Sequence, residues 1–281
     1  MNGRLQHANI RMVMIRNSLR EEIVSLNQLE MKKRKTLRSS ETELQIFQIF
    51  YHSLQQKELD PAFIPYPNLK NPRPDLCEYH IFKSEFFKGN CTAGLTGFVS
   101  WKFFEKTGLT GKQFKEWIAT NPGFDVYFIN PYPMQKRRLN VWRQGNRRHP
   151  NISKIAQSLF SRCGRDVDLL SLSMAGEHVA FCNYWVGTPS FWEKYINFCE
   201  PICEIIEDEI SKDGLSCLLE QADEKSGLCY IPYILERLFS TMLTLDPSIR
   251  SLSVERGHST KLTWAGWFQR ELTKTYQRCA S

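Results

Sequence analysis

Gly94–Pro133, GLTGFVSWKFFEKTGLTGKQFKEWIATNPGFDVYFINPYP, reads as strand, exposed turn, helix, strand. Leu95–Trp101 is short, apolar and β-prone, and it runs into the polar Ser100 and Lys102. Gly108-Leu109-Thr110-Gly111 is a turn, and Thr110 caps a helix whose Phe114, Trp117 and Ile118 share one face. Asn121-Pro122-Gly123 stops that helix. Asp125–Asn130 is a second buried strand ending at Pro131 and Pro133. A unit of this size predicts parallel pairing of its two strands with a right-handed crossover. Ligands of open α/β sheets sit beyond the carboxyl ends of such strands, here Ser100/Lys102 and Asn130.

Outward from this unit, Leu44–Tyr51 (LQIFQIFY) is a continuous apolar strand ending at His52-Ser53, the expected place for a nucleotide-facing loop. Asp60–Pro74 is proline-rich and reads as extended loop. Asp75 is placed to cap a helix over Leu76–Lys88. Met134–Pro150 reads as a basic loop with Lys136, Arg137, Arg138, Arg143, Arg147 and Arg148, followed by a helix over Ile152–Cys163. Leu169–Met174 and Val179–Val186 are expected strands. A long helix follows Thr188, with Ser190 and Glu193 at capping-box spacing and Pro201 inside it. Tyr230–Leu245 is a further helix, and Ile249–Val254 a last strand.

The 281 residues fit one large α/β domain or two small ones. A hydrophobic fraction of 42% with 24% charged residues is that of an ordinary soluble protein, and no apolar run is long enough to span a membrane. The net charge of +7 is concentrated in Met1–Arg38 and Lys136–Arg148, which fits an anionic partner: nucleotide phosphate, lipid headgroup or nucleic acid. Nine cysteines, an odd number with no CxxC pair, point to a reducing cytoplasm. The expected organisation is a basic helical arm over 1–40, a single domain over 41–256, and a basic aromatic amphipathic tail over 257–281. The arm and tail together fit peripheral contact with an anionic membrane.

The order of LQIFQIFYHS, IPYPN…NPRPDLCEY, GFVSWKFFEKTGL, FDVYFINP, FCNYWVGTPSFWEKY and YILERLFS resembles glycosyltransferases of the GT-A fold. The likeness is to a group from bacterial capsule and O-antigen (lipopolysaccharide) gene clusters, and it covers roughly Glu41 to Val254. It implies a Rossmann-type, mainly parallel central sheet flanked by helices. It also implies transfer of a sugar from a nucleotide-sugar donor to a saccharide or lipid-linked acceptor, on the inner face of the cytoplasmic membrane. Many such enzymes hold Mg²⁺ or Mn²⁺ on a DxD motif where this chain reads Ser100-Trp101-Lys102, so no cofactor is assigned. Asp166-Val167-Asp168 is a formal DxD and the remaining metal candidate, read against ordinary loop acids.

Each candidate residue carries two readings. His52, Ser53, Ser100, Lys102 and Asn130 are expected on the donor side, with Lys102 as a point charge beside a diphosphate or else a solvated turn lysine. His178, Asn183 and Tyr184 are expected near the acceptor; Asn183 interrupts an apolar strand, so its amide needs a partner if buried. Many inverting relatives place their base at the start of a helix late in the domain, which singles out Glu236 in YILERLFS, preceded by Pro232, with Arg237 beside it to keep it ionised. The rival class is a basic binder of nucleic acid or polyanions, or a degenerate sugar-nucleotide scaffold. No nucleic-acid motif accompanies the charge, so no nucleic-acid partner is expected.

Overall fold

The computed structural model describes residues 43–132, 139–211, 217–223 and 227–254. The expected arm and tail lie outside these residues, as do Lys136, Arg137 and Arg138. The protein is a mixed α/β sandwich around a six-stranded, mostly parallel sheet. Its strands are β1 (Leu44–Phe50), β2 (Ile64–Pro67), β3 (Leu95–Ser100), β4 (Val126–Ile129), β5 (Trp185–Gly187) and β6 (Ser251–Val254), in the spatial order β2-β1-β3-β5-β4-β6. The helices are α1 (Glu78–Phe87), α2 (Phe103–Thr107), α3 (Gly111–Thr120), α4 (Val141–Arg148), α5 (Ile152–Arg162), α6 (Pro189–Ser211) and α7 (Tyr230–Leu245).

The unit that decides the fold forms as strand, helix, strand, but its strands do not pair. β5 lies between β3 and β4 and runs antiparallel to both, with Gly97 opposite Val186 and Tyr127 opposite Val186. β3 and β4 therefore point the same way without touching. Glycine makes the wedge possible: a Cβ on Gly97 would stand 2.5 Å from the Trp185 carbonyl oxygen.

Alternation along the strands fills two separate cores. Phe98 of β3, Val126 and Phe128 of β4 and Trp185 of β5 face α1, α4, α5, α6 and α7. There Trp185 and Trp192 pack at 4.4 Å between ring centroids, within an aromatic group that includes Phe82, Tyr195 and Phe239. Val99, Tyr127, Ile129 and Val186 face the other way, onto Phe103 of α2 and Phe114 and Ile118 of α3.

Several local expectations are corrected. The proline-rich segment contributes β2, an edge strand beside β1, where Pro65 and Pro67 are tolerated because one side of the strand is unpaired. Leu169–Met174 is not a strand, and Val179–Val186 is extended in the sheet only from Trp185. Part of the supposed basic loop is helix α4, nucleated by Asn140, whose side chain accepts from the Trp142 and Arg143 backbone N–H groups at 2.8 and 2.9 Å. Thr188, rather than Ser190, caps α6 by accepting from the Phe191 N–H. Asp75 pairs with Arg73 at 2.7 Å instead of capping α1, whose N-cap is Cys77 with φ of 49°.

The chain leaves β1 toward β2 on one side and leaves β3 toward β4 on the other. The carboxyl ends of β1 and β3 thus flank a topological switch point, the usual ligand crevice of an open α/β sheet.

Candidate functional site

Ser100 closes β3, and its hydroxyl lies 2.7 Å from the hydroxyl of Tyr184, the residue that leads into β5. Beneath them the buried Gln48 of β1 fixes the turn: its amide donates to the Ser100 and Trp101 carbonyls and accepts from the Asp60 N–H at 2.7 Å. A small cavity of about 50 Å³ opens beside this pair. Glu78 from the first turn of α1, Lys106 from α2 and Glu236 from α7 line it with Cys182, Asn183, Ser100 and Tyr184. Four segments distant in sequence therefore converge at the carboxyl end of β3.

The charges sit close enough to perturb one another. Burial pushes the Glu78 carboxyl above its ordinary range; its own backbone N–H and Lys106 pull it back in part, and Glu236 adds to the rise. Burial works against the charge on Lys106, but Cys182, Tyr184, Tyr132 and Glu236 together hold its ammonium above the usual lysine range. Lys106 Nζ lies 3.4 Å from the Cys182 sulfur and 5.8 Å from the Tyr184 ring centre. Burial, then Glu236, push the Cys182 thiol up to about 12, against Lys106. Such a thiol is no nucleophile at neutral pH. Cys182 also has φ of 65°, a left-handed conformation costly for a side chain of its kind, which presents Asn183 to the cavity. Asn183 Oδ1 is buried there without a hydrogen-bond partner.

Of the residues expected from sequence, Ser100, Asn183, Tyr184 and Glu236 meet in this cavity; the others do not line it. His52 and Ser53 lie at the end of β1, on the crevice, where His52 Nδ1 accepts from the Leu54 N–H at 3.2 Å and caps the 3-10 helix Ser53–Glu58. Lys102 leads into α2 with its ammonium 4.9 Å above the Trp101 ring. Asn130 is buried, donating to the Val179 carbonyl and accepting from the Tyr132 N–H, so it shapes the end of β4. His178 ends a 3-10 turn over Gly176–His178. Arg237 is fully buried and committed to structure: it donates to the Val141 and Tyr233 carbonyls and to Gln144 Oε1, and stands 3.8 Å from Glu236. Burial pulls its pKa down and Glu236 raises it.

Asp166 and Asp168 lie away from the cavity lining. Asp168 closes a turn by accepting from Leu170 N–H and the Ser171 hydroxyl, which hold its carboxyl below the ordinary range. Among the described residues no cluster of three metal-ligating side chains occurs. The cavity's two carboxylates share their space with an ammonium, a poor setting for a divalent ion, so the residues present do not fit the metal that the DxD pattern would hold. Glu78, Lys106 and Cys182 are the site residues that sequence reasoning missed.

No protein-family profile matches the chain, and no curated protein matches it. Among solved structures it is similar to the apo structure of WbbM, a bifunctional glycosyltransferase, with a TM-score of 0.47 and 14% identity over 76% of this chain. The chain covers 45% of that protein's length, and a likeness this distant assigns no activity. No helix among the described residues is long and apolar enough to cross a membrane.

Proposed function

We propose that the chain is a glycosyltransferase moving a sugar from a nucleotide-sugar donor to a saccharide or lipid-linked saccharide acceptor in surface-polysaccharide assembly. The observation that carries this reading is the placement of Glu236, partly open to solvent, in a polar cavity at the carboxyl end of β3, with Lys106 opposite it. In a displacement with inversion, Glu236 takes the acceptor hydroxyl proton as that oxygen bonds to the anomeric carbon. The bond from that carbon to the diphosphate breaks, and the nucleoside diphosphate leaves. Lys106 sets an ammonium in the same cavity lining as the carboxylate that takes the proton. The crevice at His52 and Ser53 would take the nucleotide, Lys102 and the exposed Arg148 the diphosphate charge, and His178 the acceptor's far end. The basic arm and aromatic tail fit attachment to the inner face of an anionic membrane, which flotation with anionic and neutral vesicles tests.

A screen of sugar nucleotides for hydrolysis and transfer tests the reading, with Glu236→Gln as the control. The near-isosteric amide keeps the fold and donor binding while kcat falls by about 10²–10⁴, the usual worth of a general base. Wild-type turnover in Glu236→Gln would remove Glu236 from the reaction, and binding of arbitrary DNA without any sugar-nucleotide binding would remove the transferase reading.

A further inference from the structure

The cavity's chemistry says more than that it holds a base. Its lining offers mainly hydrogen-bond acceptors: the carboxylates of Glu78 and Glu236, and Asn183 Oδ1, buried with no partner of its own. The Ser100 and Tyr184 hydroxyls use one proton between them, which leaves one to offer outward. Lys106 is the single cation in the lining. At about 50 Å³ the space takes one or two groups the size of water, not a sugar ring or a phosphate chain.

We propose that Glu78 is a specificity-determining residue, which makes this cavity a subsite for a neutral hydroxyl-bearing arm of the saccharide and closes it to carboxylate or phosphate groups. The inference rests on the transferase reading for the identity of its ligand as a saccharide. A hydroxyl donates to Asn183 Oδ1, which otherwise has no partner, or to a carboxylate, and accepts from the Ser100–Tyr184 pair. An anionic arm would bring a third negative group against two carboxylates and one ammonium. Glu78 and Glu236 already set two carboxyl groups against the one ammonium of Lys106 in this small enclosure, so a further anion finds no countercharge left to meet it.

The test pairs methyl α-hexopyranosides (gluco, galacto and manno) with the corresponding uronides, which differ in exchanging a hydroxymethyl for a carboxylate. Affinities for the full chain are read by calorimetry and thermal shift. At least one hexoside binds wild type 10-fold or more tighter than its uronide, and Glu78→Gln narrows that ratio by several-fold through loss of one negative charge. Glu78→Ser, smaller and neutral, gives the same narrowing if the amide perturbs packing, and circular dichroism checks both folds. Equal binding of a hexoside and its uronide to wild type, a ratio unchanged in both variants, or no binding by any hexoside would each overturn the proposal. The two readings fail separately. Selective hexoside binding without transfer from any sugar nucleotide would sink the transferase reading alone. Transfer with a Glu78-independent preference between neutral and acidic sugars would sink the subsite alone.

Discussion

Replacing Arg237 separates structure from chemistry at this site. Its guanidinium donates to Val141 O at 3.1 Å, Tyr233 O at 2.7 Å and Gln144 Oε1 at 2.9 Å, pinning α4 against α7 directly behind Glu236. Each such bond from a charged donor is worth about 1.5–3 kcal/mol, but removing the arginine also removes the cost of burying its charge. Arg237→Ala leaves Val141 O and Gln144 Oε1 without this donor and opens a cavity. The net loss should be about 3–5 kcal/mol, the range for breaking a buried charged network. At about 2–4 °C per kcal/mol for a domain of this size, Tm falls by roughly 6–20 °C. Urea unfolding should show a lower midpoint with an unchanged m-value. Gly145→Ala approaches the same group from the other side, because its Cβ would lie 2.8 Å from Arg237 Nε and 2.9 Å from Ile152 Cγ2. It should cost about 1–3 kcal/mol alone and less in an Arg237→Met background, where the shorter, more flexible thioether gives way. A Tm drop under about 3 °C for Arg237→Ala, with additive double-mutant behaviour, would refute the pinning role and return Arg237 to the chemistry.

Glu78→Gln should change stability in a pH-dependent direction. A carboxyl whose folded pKa is raised costs stability once pH climbs past its unfolded value, so the variant should gain on wild type between pH 5 and pH 8 and match it near pH 4, by thermal unfolding. The opposite slope would contradict the burial of that group. Gly97→Ala should destabilise by about 2 kcal/mol or more, because the new methyl meets backbone of β5 and cannot be accommodated by a rotamer change. Nucleoside diphosphate binding, measured calorimetrically, should survive EDTA, and Lys102→Ala should weaken it by about 1.5–3 kcal/mol. Loss on chelation with rescue by Mn²⁺ would restore Asp166 and Asp168 as metal ligands.

Much of the architecture was legible because it depended on periodicity. The helical spacing of Phe114 and Ile118, the cap at Thr110 and the apolar runs of β1, β3 and β4 each express a local rule. The span Tyr230–Leu245 follows from its own pattern in the same way. Strand neighbours did not follow, because nothing in Trp185–Gly187 announces that a three-residue strand will enter between β3 and β4. β2 was hidden by Pro65 and Pro67, which are unfavourable in a central strand but harmless at an edge. α4 was hidden by its arginines, although Asn140 ahead of Val141-Trp142 was a usable cap signal. At the site, Glu236 stood out as an acid in an apolar helix late in the domain. Glu78 and Lys106 read as ordinary surface residues of short helices, and only tertiary convergence gives them a role. The left-handed backbone of Cys182 has no counterpart in its residue type.

The lone antiparallel strand also dictates an order of assembly. During synthesis β3 and β4 emerge early, yet each keeps a bare backbone edge until β5 arrives, some 60 to 90 residues later in register with Thr96 and Val126. Closure of the sheet therefore waits on non-local pairing, a slow step by its long loops, and the nascent protein meanwhile leaves one side of β3 and both sides of β4 unpaired, since β6 follows later still. A chain released before Trp185 would keep these bare edges, together with the apolar faces of Phe98 and Phe128, and should aggregate. Three residues, Trp185 to Gly187, thus act as the keystone that joins two half-sheets into one.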